Sequence, residues 1–364
     1  MGRASLLAVC SRVGVVATAM MLGLSGCSAS PTKPPHSHPP ERSIRQISVQ
    51  SVDMLSASTG WAITQKNQIL YTSADWHTWR VVTPKGMPTV GVAEVSFAST
   101  DSNHAWMAVS PPSRPTIVYR TSNSGRSWQS VATDSAAWPQ IRFLNDSSGL
   151  LLLAQTGVAG VQGVMLLRTT DGGAHWHVAT DGRWSPQHTP PVFGGGKTGF
   201  GFADLQNVWI TGTWMVHSFV LYATHDGGVQ WQEQTLSLPP GLAGAESQPP
   251  MFFGTSSGVL PVAQLNNQST VFYQTTDGGR TWTPTTPVRG NVYAIIDAHN
   301  IVATDGITIY RTEDGGVQWT QVQPDLSLQG VSDLDFISPM DGWAVVNGHL
   351  LRTTDGGATW AKAG

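Results

Sequence analysis

The segment Thr169-Thr170-Asp171-Gly172-Gly173-Ala174-His175-Trp176 decides the fold, because its pattern returns along the chain. Four further copies of the form T-x-D-G-G-x-x-W begin at Thr224, Thr275, Thr312 and Thr353. Two earlier copies are eroded: residues 121–128 keep Asn in place of Asp, and residues 72–79 keep only the threonine and the tryptophan. We call each eight-residue copy a repeat turn. Seven copies at intervals of 37 to 55 residues predict one structural unit per copy.

Each repeat turn follows an apolar run, such as Ile117 to Arg120, which predicts a strand. Further upstream, a pattern such as Phe336 to Trp343 fits a strand, a turn and another strand. Together with the run that follows each repeat tryptophan, these segments give every unit four antiparallel strands, which we label a to d from the inside outwards. The sequence therefore predicts an all-β fold, a seven-bladed β-propeller of four-stranded antiparallel blades in which the repeat turns join strands c and d.

The residues of the repeat turn have architectural roles. An Asp at the head of a tight turn accepts hydrogen bonds from the following amides, two glycines take positive φ, and the Trp that opens strand d packs on the neighbouring sheet. The complete copies supply these structural residues: Asp171, Trp176, Asp226, Trp231, Asp277, Trp282, Asp314, Trp319, Asp355 and Trp360.

The repeat turn resembles the Asp-box, also called the bacterial neuraminidase repeat, and the resemblance covers essentially residues 45–364. Sialidases, xyloglucan-type glycoside hydrolases, sortilin-like receptors and photosystem II stability and assembly factors share it. The spacing, the Arg-Thr lead-in and the strand Gly342-Trp343-Ala344-Val345 are most similar to the assembly factors and their bacterial relatives. The resemblance implies the propeller and leaves the activity open, because one architecture hosts several functions.

The N-terminus predicts export and a lipid anchor. Arg3 and Arg12 precede an apolar run from Val13 to Leu24 that is too short for a membrane-spanning helix of ~20 residues. The run ends in Leu24-Ser25-Gly26-Cys27, which resembles the bacterial lipobox and implies acylation of Cys27. We therefore expect a signal peptide over 1–26, the lipidated cysteine and a Pro-rich linker over 27–43, and the propeller over 44–364. Ile44 to Val49 is expected to close the ring as an extra outer strand on the last blade.

Composition limits the partners. Without residues 1–26 the chain has 18 basic and 23 acidic residues, a net charge of −5, so nucleic acid is not an expected partner. Cys27 is then the one remaining cysteine, so no disulfide forms and stability must come from core burial. No cofactor and no metal site is expected. The expected location is outside the cytoplasm, lipid-anchored to a bacterial membrane on its cell-surface or periplasmic side.

One face of the disc is predicted to bind a ligand. The b–c turns and d–a crossings share this face, and the longest of them belong to blades two to five. We call it the loop face. Trp138, Trp184 and Trp214 have no role in the repeat and fall in or beside these loops, near Arg114, Arg183, His188 and Glu246. Aromatic and charged groups of this kind suit a protein or glycan contact. The alternative is that each of these tryptophans only packs its own loop.

The residues favour a non-catalytic binding or assembly-factor-like module over the alternative, a glycoside hydrolase of sialidase or xyloglucanase type. The sialidase resemblance would require an arginine triad and a tyrosine paired with glutamate, but the repeat accounts for Arg120, Arg168, Arg311 and Arg352 and for every tyrosine except Tyr293. Asp134, Asp181 and Glu246 lie in candidate loops and keep the hydrolase open. Gly194 to Thr198 resembles the end of a phosphate-binding loop, but Pro191 replaces its first glycine.

Overall fold

The computed structural model describes residues 41–43, 47–88, 94–133, 135, 137–155, 162–183, 194–214, 218–237, 239, 245–264 and 268–363. Within these ranges every regular element is a strand. The predicted signal peptide and Cys27 lie outside the described residues.

Seven antiparallel sheets follow one another along the chain. The first four blades contain β1 (Glu41–Ser43), β2 (Val49–Met54), β3 (Gly60–Thr64), β4 (Ile69–Thr72), β5 (Thr78–Val81); β6 (Glu94–Ser99), β7 (His104–Ser110), β8 (Ile117–Ser122), β9 (Gln129–Ala132); β10 (Trp138–Phe143), β11 (Gly149–Ala154), β12 (Val164–Thr169), β13 (His177–Gly182); and β14 (Gly196–Phe202), β15 (Val208–Trp214), β16 (Ser218–Thr224), β17 (Gln232–Glu233).

The last three blades contain β18 (Ala245–Ser247), β19 (Met251–Phe253), β20 (Ser257–Gln264), β21 (Ser269–Thr275), β22 (Thr283–Pro284), β23 (Val288–Arg289); β24 (Val292–Ile295), β25 (Ile301–Thr304), β26 (Ile309–Thr312), β27 (Thr320–Val322); and β28 (Val331–Phe336), β29 (Gly342–Val346), β30 (His349–Thr353), β31 (Ala361–Lys362). Each sheet runs a, b, c, d in chain order, which confirms the seven-bladed β-propeller. In the fifth blade strand a is divided into β18 and β19, which both pair with β20.

The core lies between neighbouring blades. The indoles of strand b are almost fully buried and meet an aromatic ring on strand a of the next blade: Trp61 with Phe97, Trp106 with Phe143 and Trp209 with Phe252, at centroid separations of 5.8, 3.6 and 4.5 Å. Burying one large apolar side chain contributes about 1.5–3 kcal/mol, so each such interface is a major source of stability. Blade-to-blade packing thus replaces a single central core.

Side chains form hydrogen bonds with some of the backbone groups at the inner edge of the ring. The amide of Ile141 donates to Ser96 Oγ of the preceding blade at 3.0 Å. Gln140 Nε2 in turn donates to the carbonyl of Thr198 in the following blade at 2.9 Å. Polar residues on strand a therefore hydrogen-bond to backbone groups of the neighbouring strand a, which would otherwise lack partners at the sheet edge.

Blades one and seven close the ring by face-to-face packing. Val52 and Met54 pack in one cluster with Trp343 and Val345, and the amide of Val49 donates to Gly348 O at 2.9 Å. Strand exchange between the two blades does not occur in the described residues.

The expected latch was wrong in position. Val49 begins the innermost strand of blade one, and residues 44–46 lie outside the described part. The added outer strand is instead Glu41–Ser43, placed by the sequence in the linker, and it pairs with β5 of the first blade. The last blade has four strands in the described chain. The free edge of β5 is available for this pairing, whereas Val49 is held by its bond across the seam.

The five complete repeat turns share one set of hydrogen bonds. Thr169 Oγ1 donates to Asp171 Oδ1 at 2.9 Å and accepts from the amide of Gly173 at 2.9 Å. The equivalent bonds in the other four copies measure 2.7–3.0 Å. Gly172 and Gly173 have φ of 71° and 82°, which other residues adopt at a cost. A hydrogen bond from the backbone of His175, and then one from its side chain, hold the pKa of Asp171 below its usual value.

Candidate functional site

Backbone hydrogen bonds define the two faces of the disc. The amide of the first glycine in each complete repeat turn donates to a carbonyl of an a–b turn, as in Gly172 to Ser147 O at 2.7 Å and Gly356 to Met340 O at 2.9 Å. On the other face, b–c turns bond to d–a crossings, as in Thr116 N to Ser135 O at 2.9 Å and Leu328 N to Gly306 O at 3.1 Å. The b–c turns and d–a crossings therefore lie together on the loop face.

The structure describes four of the seven candidate side chains: those of Trp138, Arg114, Arg183 and Glu246. Trp184 and His188 lie outside the described residues. Trp214 is described only in its backbone, as the last residue of β15, where it pairs with Ser218.

Trp138 is the most exposed tryptophan among the described side chains. It is the first residue of β10, pairs with Ala154 and has 46% of its surface exposed. All of the described repeat tryptophans are more buried, because they pack on a neighbouring blade. At its position on the loop face, the Trp138 indole presents a large apolar surface to solvent.

Arg183 follows β13 on the same blade and is already paired. Its Nε donates to Asp181 Oδ1 at 2.7 Å and its Nη2 donates to Asp181 Oδ2 at 2.5 Å. These hydrogen bonds raise the pKa of Arg183 above its usual value. The guanidinium is thus held in a bidentate pair, which orients it but lowers its net charge as a binding group.

Arg114 and Glu246 belong to other blades. Arg114 lies in the exposed b–c turn of blade two, where its amide donates to Pro111 O at 3.2 Å. Glu246 lies in β18 of blade five, half-buried, and accepts a hydrogen bond from Gln248 Nε2 at 2.7 Å. Burial raises the pKa of Glu246, and the Gln248 hydrogen bond opposes part of this effect.

The described candidates share the loop face but belong to three blades, the second, third and fifth. Trp138 and Arg183 border the same end of blade three, since Trp138 pairs with Ala154, and Arg183 follows the Val164–Gly182 pair. At ~4.8 Å between strands, strands a and d of one blade lie about 14 Å apart. A surface of this width suits an extended contact. The acids named for hydrolysis are not brought together: Asp181 and Glu246 occupy blades three and five, and Asp134 lies outside the described residues.

The sequence reasoning missed charged side chains on the inner strands. Arg142 of blade three and Asp335 of blade seven occupy equivalent positions of strand a. Arg142 lies over the Phe200 ring at 5.5 Å. Burial lowers the pKa of Arg142 to about 9, and Tyr293, the tyrosine unexplained by the repeat, partly offsets this effect. In the sequence, a charged residue within an otherwise apolar strand a could have indicated these inner charged side chains.

Lys197 of the glycine-rich string is bound by its own loop. Its Nζ donates to the carbonyls of Gly194 and Gly195 at 2.6 and 2.8 Å. Burial lowers the pKa of Lys197 to about 8. The string opens strand β14, so no helix follows that would direct amides toward a phosphate.

The described ranges contain neither a cluster suited to a metal ion nor a membrane-spanning helix. No group of three or more His, Cys, Asp or Glu side chains is placed to hold a metal ion there. The same ranges contain no helix long and apolar enough to cross a membrane.

Comparison with solved structures identifies the class of fold. The chain is similar to YCF48 bound to D1 peptide, with 16% identity, a TM-score of 0.59, and coverage of 87% of this chain and 99% of that chain. It is also similar to a GH74 enzyme from Niastella koreensis (15%, 0.60) and a GH74 xyloglucanase from Xanthomonas campestris (15%, 0.62). These matches cover 86% and 89% of this chain but 53% and 56% of the enzymes, so the chain spans about half their length.

At these identities the likeness shows the fold, and the fold alone. No protein-family model matches the chain. No curated protein matches it either.

Proposed function

We propose that the protein is a non-catalytic binding or assembly-factor-like module that presents its loop face to a protein partner. The exposed indole of Trp138, outside the repeat pattern, carries the proposal. Large aromatic groups at the centre of an interface contribute a large share of binding energy, and exposing one in water is unfavourable. A peptide-bound neighbour that matches over nearly its whole length supports a protein ligand, and a glycan is the second ligand class that such a surface suits.

Two observations favour this proposal over a glycoside hydrolase. Asp181 is engaged by Arg183, so its charge is already neutralised in a bidentate pair. Glu246 stands in blade five with blade four between it and Asp181, whereas the two carboxyl groups of a glycosidase face one glycosidic bond at about 5–10 Å.

We further propose that acylation of Cys27 tethers the propeller to the outer side of a membrane. The lipobox resemblance and the proline-rich linker support this tether. Incorporation of labelled palmitate into the full chain should be lost in Cys27→Ser, and the variant should leave the membrane fraction. Unchanged membrane association of Cys27→Ser would contradict the tether without touching the binding proposal.

The binding proposal is tested by capture of a partner from the native envelope on the immobilised propeller. Trp138→Ala, Trp184→Ala and Trp214→Ala should each reduce the captured amount, measured by quantitative mass spectrometry, with little change in melting temperature. Met340→Ala is the matched control, because Met340 is 47% exposed but lies in an a–b turn on the opposite face. A large stability loss in the tryptophan variants, with unchanged capture, would support loop packing instead.

The hydrolase alternative has its own test. The propeller should show no turnover of xyloglucan, other β-glucans or sialosides. Robust turnover that disappears in Asp134→Asn, Asp181→Asn or Glu246→Gln would replace the binding module with an enzyme.

A further inference from the structure

Three residues that directly precede a repeat turn use a long polar side chain to hold a neighbouring turn, either in the next blade or in their own blade. Arg120 of blade two donates to the carbonyls of Asp171 and Gly172 in the next repeat turn, at 3.1 and 3.4 Å. Gln274 of blade five donates in the same way to Gly315 O at 2.8 Å. In the last blade Arg352 makes two bonds to Asp341, at 3.1 and 3.0 Å. A long polar side chain at this position is therefore normally used by the architecture.

Arg168 occupies the same position in blade three but is used differently. Its guanidinium makes no hydrogen bond or ion pair with any residue, in the part of the chain that the structure describes. The side chain is only partly buried, and it lines a groove between blades three and four. The repeat pattern therefore does not explain Arg168 as it explains Arg120.

The groove has a volume of about 450 Å³ and runs along the outer rim, between β13 and the repeat turn of blade four. Val178 and Val229 line it and are 56% and 77% exposed. His177 and Arg168 contribute its basic side. The volume falls in the range of pockets that accept one ligand group or a short peptide segment.

The acid in this groove does not neutralise Arg168. Asp226 Oδ1 accepts hydrogen bonds from Thr224 Oγ1 at 2.8 Å, from Val229 N at 3.0 Å and from Gln230 N at 2.9 Å. Its Oδ1 is thus committed to the repeat turn, and no ion pair joins Asp226 to Arg168 in the described chain. The groove offers a free guanidinium beside two exposed valines, which is the complement of a carboxylate next to an apolar side chain.

We propose that this rim groove binds an extended peptide segment of a partner protein, with a carboxylate on Arg168 and an apolar side chain between Val178 and Val229. Arg suits this role because its planar group bonds a carboxylate through two parallel N–H groups. The site lies on the outer rim of the ring, outside the loop-face surface around Trp138, so it is a second contact and does not depend on the proposed function.

The outer edge of β13 supplies backbone groups for the same peptide. β13 has six residues, more than any other outermost strand in the described blades, and no strand pairs with its outer side there. β5, the corresponding strand of blade one, does accept an added strand, Glu41–Ser43. A bulge at Ala179 divides the β13 edge, so regular pairing is confined to the residues on either side of it. The side-chain contacts therefore set the specificity and the edge adds main-chain bonds.

The test is selection of random short peptides displayed on phage against the immobilised propeller, followed by affinity measurement on the enriched peptides. Enriched sequences should place Asp or Glu within two positions of Val, Ile or Leu. Arg168→Met should weaken these peptides about tenfold or more, the usual effect of losing a charge-assisted pair. Arg168→Glu should instead enrich peptides with Lys or Arg.

Val229→Ser and Val317→Ser form a matched pair. Both valines stand in the sequence Asp-Gly-Gly-Val-Gln-Trp and are largely exposed, but only Val229 lines the groove. Val229→Ser should weaken the peptides and Val317→Ser should not, with equal melting temperatures. Trp138→Ala should leave this binding unchanged, which separates the groove from the loop face.

Three results would overturn the proposal. Selection could enrich no acidic and apolar sequence, or the enriched peptides could bind Arg168→Met as tightly as the parent chain. Sedimentation could also show a dimer that Arg168→Met dissociates, which would make a second copy of the chain the occupant.

Discussion

Asp333 makes the seam between blades seven and one sensitive to pH. Its Oδ2 accepts a hydrogen bond from the amide of Val52 at 2.9 Å, and Asp335 accepts one from Met54. Burial raises the pKa of Asp333 to about 7, the Val52 bond opposes this, and the charge of Asp53 adds to it. Between about pH 4 and pH 7 the folded chain therefore holds a proton that the unfolded chain has released.

Because folding raises its pKa, Asp333 contributes its full stabilisation below about pH 4, and this stabilisation is lost as the pH rises through 7. The shift from 3.8 to about 7 corresponds to at most about 4 kcal/mol at 1.36 kcal/mol per pKa unit. Because the side chain of Asp333 is only partly buried, its expected share is about 2 kcal/mol. Asp333→Asn keeps an oxygen for the Val52 amide and removes the charge, so the variant should be more stable than the parent at pH 8 and about equal near pH 4.

The assay is urea unfolding followed by tryptophan fluorescence at a series of pH values between 4 and 8. The difference in unfolding free energy between Asp333→Asn and the parent should grow by about 2 kcal/mol over this range. Asp146→Asn is the control, because Asp146 lies in an exposed a–b turn far from the seam. Equal pH slopes for Asp333→Asn and the parent would refute the reasoning, as would a slope of the opposite sign.

Three other predictions concern the architecture. Gly279→Ala should lower the free energy of unfolding by about 3 kcal/mol, because φ is 76° and the new Cβ would lie 2.3 Å from the Trp209 ring. Gly254→Ala, with φ of 81° and open space around the new Cβ, should lower it by about 1 kcal/mol. Equal urea midpoints for the two variants would contradict this. Burial raises the pKa of Asp355, but hydrogen bonds from Thr359 and Thr353 outweigh this effect and hold the pKa at about 2. The stabilisation by Asp355 should therefore be lost as the pH falls from about 4 to 2, and Asp355→Asn should weaken the dependence of the melting temperature on pH in that range. Trp343→Ala should cost about 3–5 kcal/mol, because its indole is fully buried at the closing seam, and intact thermal stability would count against seam packing.

The sequence predicted the fold because the repeat turn is local and periodic. Thr169, Asp171 and the following glycines lie within five residues, so their bonds depend on chain geometry that the pattern itself reveals. The strand-b indoles were found for the same reason. The extra strand was misplaced, because Glu41–Ser43 pairs with residues nearly forty positions away and carries no pattern of its own.

The candidate site was predictable only in part. The exposure of Trp138 follows from its lack of a repeat role, and its position on the loop face follows from strand alternation. The pairing of Arg183 with Asp181 could not be read from the sequence, since two charges at i and i+2 on a strand face the same side without necessarily meeting. Arg142 was missed because its contact with the Phe200 ring joins two blades and is not visible in the local pattern of one strand.

Arg120 and Arg168 show how far a repeat can explain its residues. Both precede a repeat turn, and by sequence they have the same architectural role. Arg120 fulfils it through two backbone carbonyls, whereas Arg168 reaches none. A guanidinium carries several donors, and leaving it unbonded beside exposed valines gains nothing for the fold. In a repeat protein, therefore, a residue that keeps its position but loses its repeat contacts is a second guide to recognition, beside a residue such as Trp138 that lies outside the pattern.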